Sequence, residues 1–247
     1  MEYSYLSDVG HLREKNEDFV GFFKNKTGVF LAVVADGLGG HQGGEVASEM
    51  AVSSIGYDFE QTSWQMPKDA YAWLQNQVNL ENEKILKSAQ KNADLLGMGT
   101  TLVCAVGFAK TILIANIGDS RCYLYSGGKL SQLTEDHSLV NEMVKNGQIS
   151  KEQARTHPQK NIITRSLGVS QDSKLDERLL EIVPGEFLLC TDGLTNMVED
   201  NKIADILSRK NKDLETKCKE LIETANRAGG VDNITALLLS FSKEEVS

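Results

Sequence analysis

Two short apolar runs end in the same way, and that shared ending constrains the fold more than any other feature of the sequence. Phe30-Leu31-Ala32-Val33-Val34-Ala35 leads into Asp36-Gly37, and Phe187-Leu188-Leu189-Cys190 leads through Thr191 into Asp192-Gly193. Short apolar runs bounded by turn residues read as buried strands. Each strand then carries an aspartate to its mouth, where the backbone holds the carboxylate rigidly while its oxygens still reach solvent or an ion. An Asp-Gly pair is equally an ordinary strand-end turn, and neither pair alone separates the two readings.

Similar runs predict strands at Val29–Ala35, Thr100–Gly107, Thr111–Ile117, Phe187–Cys190 and Ile234–Ser240. Only Phe108-Ala109-Lys110 separates the second and third of these, so they are expected to form an antiparallel hairpin. Apolar residues at helical spacing predict helices at Glu45–Ile55, Pro67–Ala93, Leu139–Val144 and Leu214–Arg227. In the last, Leu214, Cys218, Leu221, Ile222 and Ala225 share one face. Hairpins and helices alternate in blocks rather than in strict βαβ order, which points to an α+β layered domain with mainly antiparallel sheets. No Gly-, Ser- or Pro-rich linker divides the chain, so a single domain over residues 1–243 with a tail at 244–247 is expected. The polar stretch from Asn146 to Leu167, broken by Gly147 and Pro158, reads as an excursion from that core.

Charge and cysteine usage narrow the partners. A formal net charge of −9 argues against nucleic acid, whose binding depends mostly on Lys and Arg. No stretch approaches the roughly 20 apolar residues that cross a bilayer, and the N-terminus has no basic-then-apolar leader. Cys104, Cys122, Cys190 and Cys218 form no Cys-x-x-Cys pair and are expected to be buried free thiols in a reducing compartment, which places the chain in the cytoplasm. An acidic surface also repels phosphorylated substrates unless bound cations reverse the local sign.

Two more acidic clusters flank the strands: Asn16-Glu17-Asp18 and Gly230-Val231-Asp232-Asn233. Hard divalent cations take oxygen ligands, and Asp36, Asp192 and Asp232, with Asp18 or Glu17 in support, offer enough carboxylates for two ions sharing a bridging ligand. Arg13 lies five residues before Asp18, and a guanidinium suits bidentate contact with phosphate oxygens. No cysteine is followed by an arginine at the spacing of a Cys-x5-Arg phosphate loop, and the Gly37–Gly44 run lacks the Gly-Lys-Ser/Thr ending of a nucleotide loop.

These pieces sit within longer motifs that run in order across nearly the whole chain. They are Ser7-Asp8-x-Gly10-x-x-Arg13-x-x-Asn16-Glu17-Asp18; Val34-Ala35-Asp36-Gly37-Leu38-Gly39-Gly40-His41 with Gly44-Glu45-Val46-Ala47-Ser48; and Gly99-Thr100-Thr101. Then come Asn116-Ile117-Gly118-Asp119-Ser120-Arg121, Leu133-Thr134-x-Asp136-His137-Ser138, Ile163-Thr164-Arg165-x-Leu167-Gly168, Leu189-x-Thr191-Asp192-Gly193-Leu194 and Asp232-Asn233-Ile234-Thr235. In these the chain resembles the PPM, or PP2C-type, metal-dependent Ser/Thr protein phosphatases in their bacterial single-domain form.

The resemblance implies an αββα sandwich of two mainly antiparallel sheets flanked by helices, with a flap at about 146–168 beside a metal cleft. It implies Mn²⁺ or Mg²⁺, two core ions and a third. Asp36 would bridge the core ions, the Gly37 carbonyl would bind the first, and Asp192 and Asp232 the second. Asp18 or Glu17 would support them directly or through water, and Asp119 would hold the third ion together with Asp192. Arg13 would bind the substrate phosphate, and hydrolysis would use a water held between the ions, with no covalent enzyme intermediate. His41 departs from the eukaryotic branch, where histidine directly follows Asp-Gly; here Leu38-Gly39-Gly40 intervene, and His41 is a candidate either for general acid or for positioning the phosphate. His137 is read as structural. The implied partners are phosphorylated proteins, among them a cognate Ser/Thr kinase and its substrates, with the enzyme a monomer. The rival reading is a catalytically inactive relative that binds phosphoproteins, but none of the metal positions nor Arg13 is missing.

Overall fold

The computed structural model describes residues 1–39, 43–169 and 173–246. Numbering strands in chain order, one sheet runs β1 (Glu2–Asp8), β11 (Ile234–Phe241), β10 (Gly185–Cys190), β7 (Arg121–Ser126) and β8 (Lys129–Gln132). The other runs β2 (Asp18–Lys24), β3 (Phe30–Leu38), β5 (Leu102–Gly107), β6 (Thr111–Ile117) and β9 (Asp176–Glu181), with β4 (Gly99–Thr100) also on β3. Every strand pairing among the described residues is antiparallel, including the hairpin of β5 and β6 expected from the sequence.

The central strands are apolar throughout because both of their faces are covered. Side chains alternate across a strand, so Leu31, Val33 and Ala35 of β3 face one hydrophobic cluster and Phe30, Ala32 and Val34 face another. The first cluster lies under α1 (Gly43–Gln61) and α2 (Pro67–Lys91), which supply Ala51, Ile55, Phe59, Leu74 and Ile85. The second fills the space between the sheets, where Phe30, Val34 and Ile114 meet Phe187, Leu189, Leu237 and Leu239. A third joins β10 and β11 to α6 (Asp200–Leu207) and α7 (Leu214–Arg227) through Leu188, Leu238, Ile206, Leu221 and Ile222. Each fully buried large side chain contributes about 1.5–3 kcal/mol. The result is helices, sheet, sheet, helices.

The helix expected at Leu139–Val144 is α3 (Leu139–Lys145), the excursion that follows it holds one short helix, α4 (Lys151–Thr156), and a brief α5 (Asp192–Thr195) follows β10. Ser150 starts α4 with a capping box: its hydroxyl accepts from the Gln153 amide at 3.2 Å while the Gln153 side chain accepts from the Ser150 amide at 2.7 Å. The segment rejoins the core through bridges from Ile163 to Ser138 and from Leu167 to Thr100. The expected tail at 244–247 largely coincides with a last turn, α8 (Lys243–Val246). No helix among the described residues is long and apolar enough to cross a membrane.

Candidate metal and phosphate site

The alternation that builds the sandwich also aims its carboxylates. Asp36 continues the inter-sheet face of Phe30, Ala32 and Val34, and Asp18 of β2 is its direct cross-strand partner. Like charges placed opposite one another on neighbouring strands destabilise a sheet, so this pair needs compensation. Part comes from the other sheet. On the inter-sheet face that Leu189 and Leu237 occupy, the next position along each strand is Thr191 after β10 and Thr235 in β11. Their hydroxyls donate to Asp18 Oδ2 at 2.8 and 2.7 Å. Burial nevertheless pushes the Asp18 carboxyl up to about 7, with the charges of Asp192 and Asp232 adding to it and the two hydroxyls opposing.

Asp36 is raised further above the carboxylate range, first by burial and then by Asp18, Asp192, Asp119 and Asp232. Asp119, in the turn between β6 and β7, is raised by burial and then by Asp192 and Asp136. Asp192 opens α5 and is raised by burial and then by Asp232. The Asn196 amide donates to Asp192 Oδ2 at 2.8 Å. The five aspartates singled out in the sequence therefore meet electrostatically at one end of the sandwich, drawn from both sheets.

Backbone packing explains the glycines around them. Gly37 lies against the carbonyls of Gly44 and Glu17, where a Cβ has no room, and its own amide donates to Glu17 O at 3.1 Å. Gly10 takes a φ of +78° against the carbonyl of Asp232, a left-handed conformation that a larger residue resists. Asn233 fastens the same loop, donating to Val9 O and Lys15 O at 2.9 and 2.8 Å and accepting from the Glu17 amide at 2.7 Å. Asn16 is tied in through Ser7, whose hydroxyl meets Thr235 at 2.7 Å. Thr191, Thr235 and Asn233 belong to motifs noted in the sequence, but their bonding roles appear only once the two sheets are docked.

Arg13 reaches the site by a contact the sequence did not indicate: Nη2 donates to Asp232 Oδ2 at 2.9 Å, with both groups partly exposed. The charges of Glu17 and Asp36 also act on its guanidinium. Glu17 is raised by burial, and its carboxylate lies against Gly44. His41 lies outside the described residues. His137 stands apart from the aspartates: Nδ1 accepts from the Gly118 amide at 3.0 Å and Nε2 lies 3.1 Å from Asp176, with Arg165 alongside. Burial lowers its pKa despite Asp176, and its bonds are those of a turn clamp.

The donor set suits a hard divalent cation. Asp18 Oδ1 and Asp119 Oδ1 are buried with no hydrogen-bond donor among the described residues, and buried carboxylates raised by one another's charge keep that charge only beside a cation. All the candidate donors are oxygens, as Mg²⁺ and Mn²⁺ prefer. No three of the described side chains close into a tight ligand cluster. Asp232 turns to Arg13, Asp192 to Asn196 and Asp18 to the two threonines.

Comparison with known proteins identifies the family and the fold. The family profile for protein phosphatase 2C matches residues 11–238. The chain is similar to the serine/threonine phosphatase stp of Listeria welshimeri, 44% identical over 97% of this chain and 95% of the relative. Its structure is similar to the crystal structure of the serine/threonine phosphatase Stp1 from Staphylococcus aureus, with a TM-score of 0.94 and 39% identity over 98% of this chain and 95% of that one. It is also similar to the catalytic domain of the serine threonine protein phosphatase PstP, solved in complex with 2 manganese ions, with a TM-score of 0.85 and 31% identity over 98% of each chain.

Proposed function

Because the chain belongs to the protein phosphatase 2C family, and is a serine/threonine phosphatase of its bacterial metal-dependent kind, we propose that Asp18, Asp36, Asp119, Asp192, Asp232 and the Gly37 carbonyl are its cation ligands. Asp36, the Gly37 carbonyl, Asp192 and Asp232 would hold the core ions, and Asp119 with Asp192 would hold a further one. The observation that supports this assignment is the cross-strand pairing of Asp18 with Asp36 at the mouth of the sandwich, with Oδ1 of Asp18 and of Asp119 buried and without a hydrogen-bond donor among the described residues. When bound, Mn²⁺ or Mg²⁺ supplies Lewis acidity that makes water a nucleophile near neutral pH and offsets charge on the phosphoryl oxygens.

The chain's own residues do the remaining work. Thr191 and Thr235 fix one oxygen of Asp18, leaving Oδ1 free to ligate, and Asn196 orients Asp192. Arg13, anchored on Asp232 by one nitrogen, offers its other donors to the phosphoryl oxygens of the substrate. Water attacks phosphorus in line with the serine or threonine oxygen; that phosphorus–oxygen bond breaks and the departing oxygen takes a proton, for which His41 is the nominated donor. A thiol nucleophile does not fit, since all four cysteines are buried and free. Their free state also supports a reducing, cytoplasmic location. We read the enzyme as a monomer that opposes a Ser/Thr kinase and acts on that kinase and its substrates.

Phosphate release from a phosphothreonine peptide, followed with Mn²⁺, with Mg²⁺ and in excess EDTA, tests this reading. Activity is expected with either ion and none with EDTA. Full activity in EDTA refutes the assignment of cation ligands.

A further inference from the structure

We propose that the cleft between the flap and the sandwich selects phosphoproteins with acidic residues flanking the phosphorylated serine or threonine. The proposal rests on the phosphatase reading above and adds a substrate class to it. A cavity of about 650 Å³ separates α3 and α4 from the loops that carry Asp119 and Asp192. That is larger than a phosphoryl group needs, and it leaves room for neighbouring residues of a peptide.

The charges lining this space divide once the fixed pairs are set aside. Arg121 is locked to Asp136 by a fork of bonds at 2.6–3.0 Å, and Lys145 is paired with Glu135. What is left on the flap side is Lys151, Arg155 and Lys160. Lys151 and Arg155 are exposed and make no ion pair within the described structure. Lys160 donates to Asn196 Oδ1 at 3.4 Å, and its charge reaches Asp192. Glu152, between the first two, is held by the Ser150 hydroxyl and the start of its own helix. The cavity is also lined by Asp119 and Asp192, two of the proposed cation ligands, and by Asp200.

The flap wall therefore keeps a surplus of positive charge, Lys151, Arg155 and Lys160 against the single carboxylate of Glu152, in a chain whose net charge is −9. A carboxylate flanking the phosphorylated residue is drawn to the Lys151 and Arg155 side chains of the flap wall. That fixes the direction in which a peptide lies while its phosphoryl group sits at the Asp36 mouth. Exposed ion pairs are individually weak, so two or three of them favour an acidic flank by about three- to tenfold in kcat/KM. Ionic strength should erase most of that preference.

The test uses the full chain with Mn²⁺ and phosphothreonine peptides that differ only in the flank: acidic, neutral or basic. We expect the acidic-to-neutral ratio of kcat/KM to be three- to tenfold at low salt, to shrink in 0.3 M NaCl, and to fall to one or below in a Lys151→Glu/Arg155→Glu double variant. Equal kcat/KM for acidic and neutral peptides at low salt overturns the proposal, as does a double variant that keeps the wild-type ratio. Hydrolysis of the neutral peptide shows that the phosphatase reading stands on its own. If neither any peptide nor a small aryl phosphate is hydrolysed, that reading falls and the substrate class falls with it.

Discussion

Asp18→Asn should stabilise the chelated protein above neutral pH, although it removes a charge from the heart of the site. Asp18 is buried, and its carboxyl rises from 3.8 to about 7 in the folded state. A carboxyl raised by folding binds its proton more tightly in the folded chain than in the unfolded one. Its contribution therefore favours folding at low pH and is lost as pH climbs from about 4 to about 7. A rise of about three pH units at ~1.4 kcal/mol each gives roughly 4 kcal/mol lost over that window. The substituted amide does not titrate, yet its oxygen still accepts from Thr191 and Thr235, at a loss of about 1 kcal/mol for exchanging a charged acceptor for a neutral one. The net expectation is a variant more stable than wild type by roughly 2–4 kcal/mol at pH 8 in EDTA, and close to it or slightly less stable at pH 4.5. Urea unfolding in EDTA at several pH values, read as the difference between the two proteins, measures this directly. Saturating Mn²⁺ should narrow or reverse the difference at pH 8, because an ion that binds only the folded state stabilises the protein with the complete ligand set more. A pH-independent difference, or a chelated variant less stable than wild type at pH 8, refutes the argument that these carboxylates are held against their own repulsion.

Arg13→Ala should lower kcat/KM on phosphopeptides by about 10- to 100-fold, mainly through KM, since charge-assisted bonds to phosphate are lost. Its pairing with Asp232 is partly exposed, so unfolding free energy should change by less than about 1 kcal/mol; unchanged steady-state kinetics would remove Arg13 from substrate binding. Asp119→Ala should keep the tight divalent sites seen by calorimetry while losing more kcat on phosphopeptides than on an activated aryl phosphate, whose leaving group needs little protonation. Equal loss on both substrates would contradict a role in assisting the leaving oxygen. Burial pushes the thiols of Cys104, Cys190 and Cys218 up to about 12, so iodoacetamide at pH 8 should label the protein only after unfolding and leave native activity intact, and rapid loss of activity would reopen a thiol mechanism.

Elements announced by strong periodicity were legible before any coordinates. β6 and α7 span the predicted residues Thr111–Ile117 and Leu214–Arg227, and β3 begins one residue after the predicted Val29 and continues past Ala35 through Asp36 to Leu38. The helix expected at Glu45–Ile55 extends to Gln61 as α1. What stayed hidden had weak local signals. β1 and β9 are edge strands, each paired with a single neighbour, and their sequences Glu2-Tyr-Ser-Tyr-Leu-Ser-Asp8 and Asp176-Glu-Arg-Leu-Leu-Glu181 mix polar with apolar residues because one side faces solvent. β2, β7 and β8 likewise acquire their identity from pairing. α4 has only six residues, too few for an amphipathic stripe, and α6 is only two turns long. At the site, Asp36 and Asp192 were visible because they end apolar runs, Asp18 and Asp232 because they sit in acidic clusters just before strands, and Asp119 through the family resemblance. Thr191 and Thr235 stood in the quoted motifs without a role, since threonine is an ordinary strand residue, and only the docking of the sheets brings them to Asp18 from 173 and 217 positions away. The pairing of Arg13 with Asp232 was hidden because it follows from the pairing of β1 with β11, strands from opposite ends of the chain.

The same docking explains why the site lies where it does. Behind Asp36 the inter-sheet space is filled by Val34, Ala32 and Phe30 against Phe187, Leu189, Leu237 and Leu239, a layer that gains stability from closing. One step further along the same strands the face becomes Asp36, Asp18, Thr191 and Thr235, where closing brings buried carboxylates together and opposes stability. The apolar layer holds the sheets at a fixed spacing, so the carboxylates cannot relax apart, and rotation of their own side chains is the only freedom left. Asp192 and Asp232 use that freedom to reach Asn196 and Arg13. Asp18 and Asp119 do not, and each keeps an unpartnered oxygen at the mouth. A rigid scaffold that forces acidic oxygens together without satisfying them concentrates affinity for a small, hard cation at one place, and the ligands arrive from both sheets, so the affinity depends on the sandwich being closed.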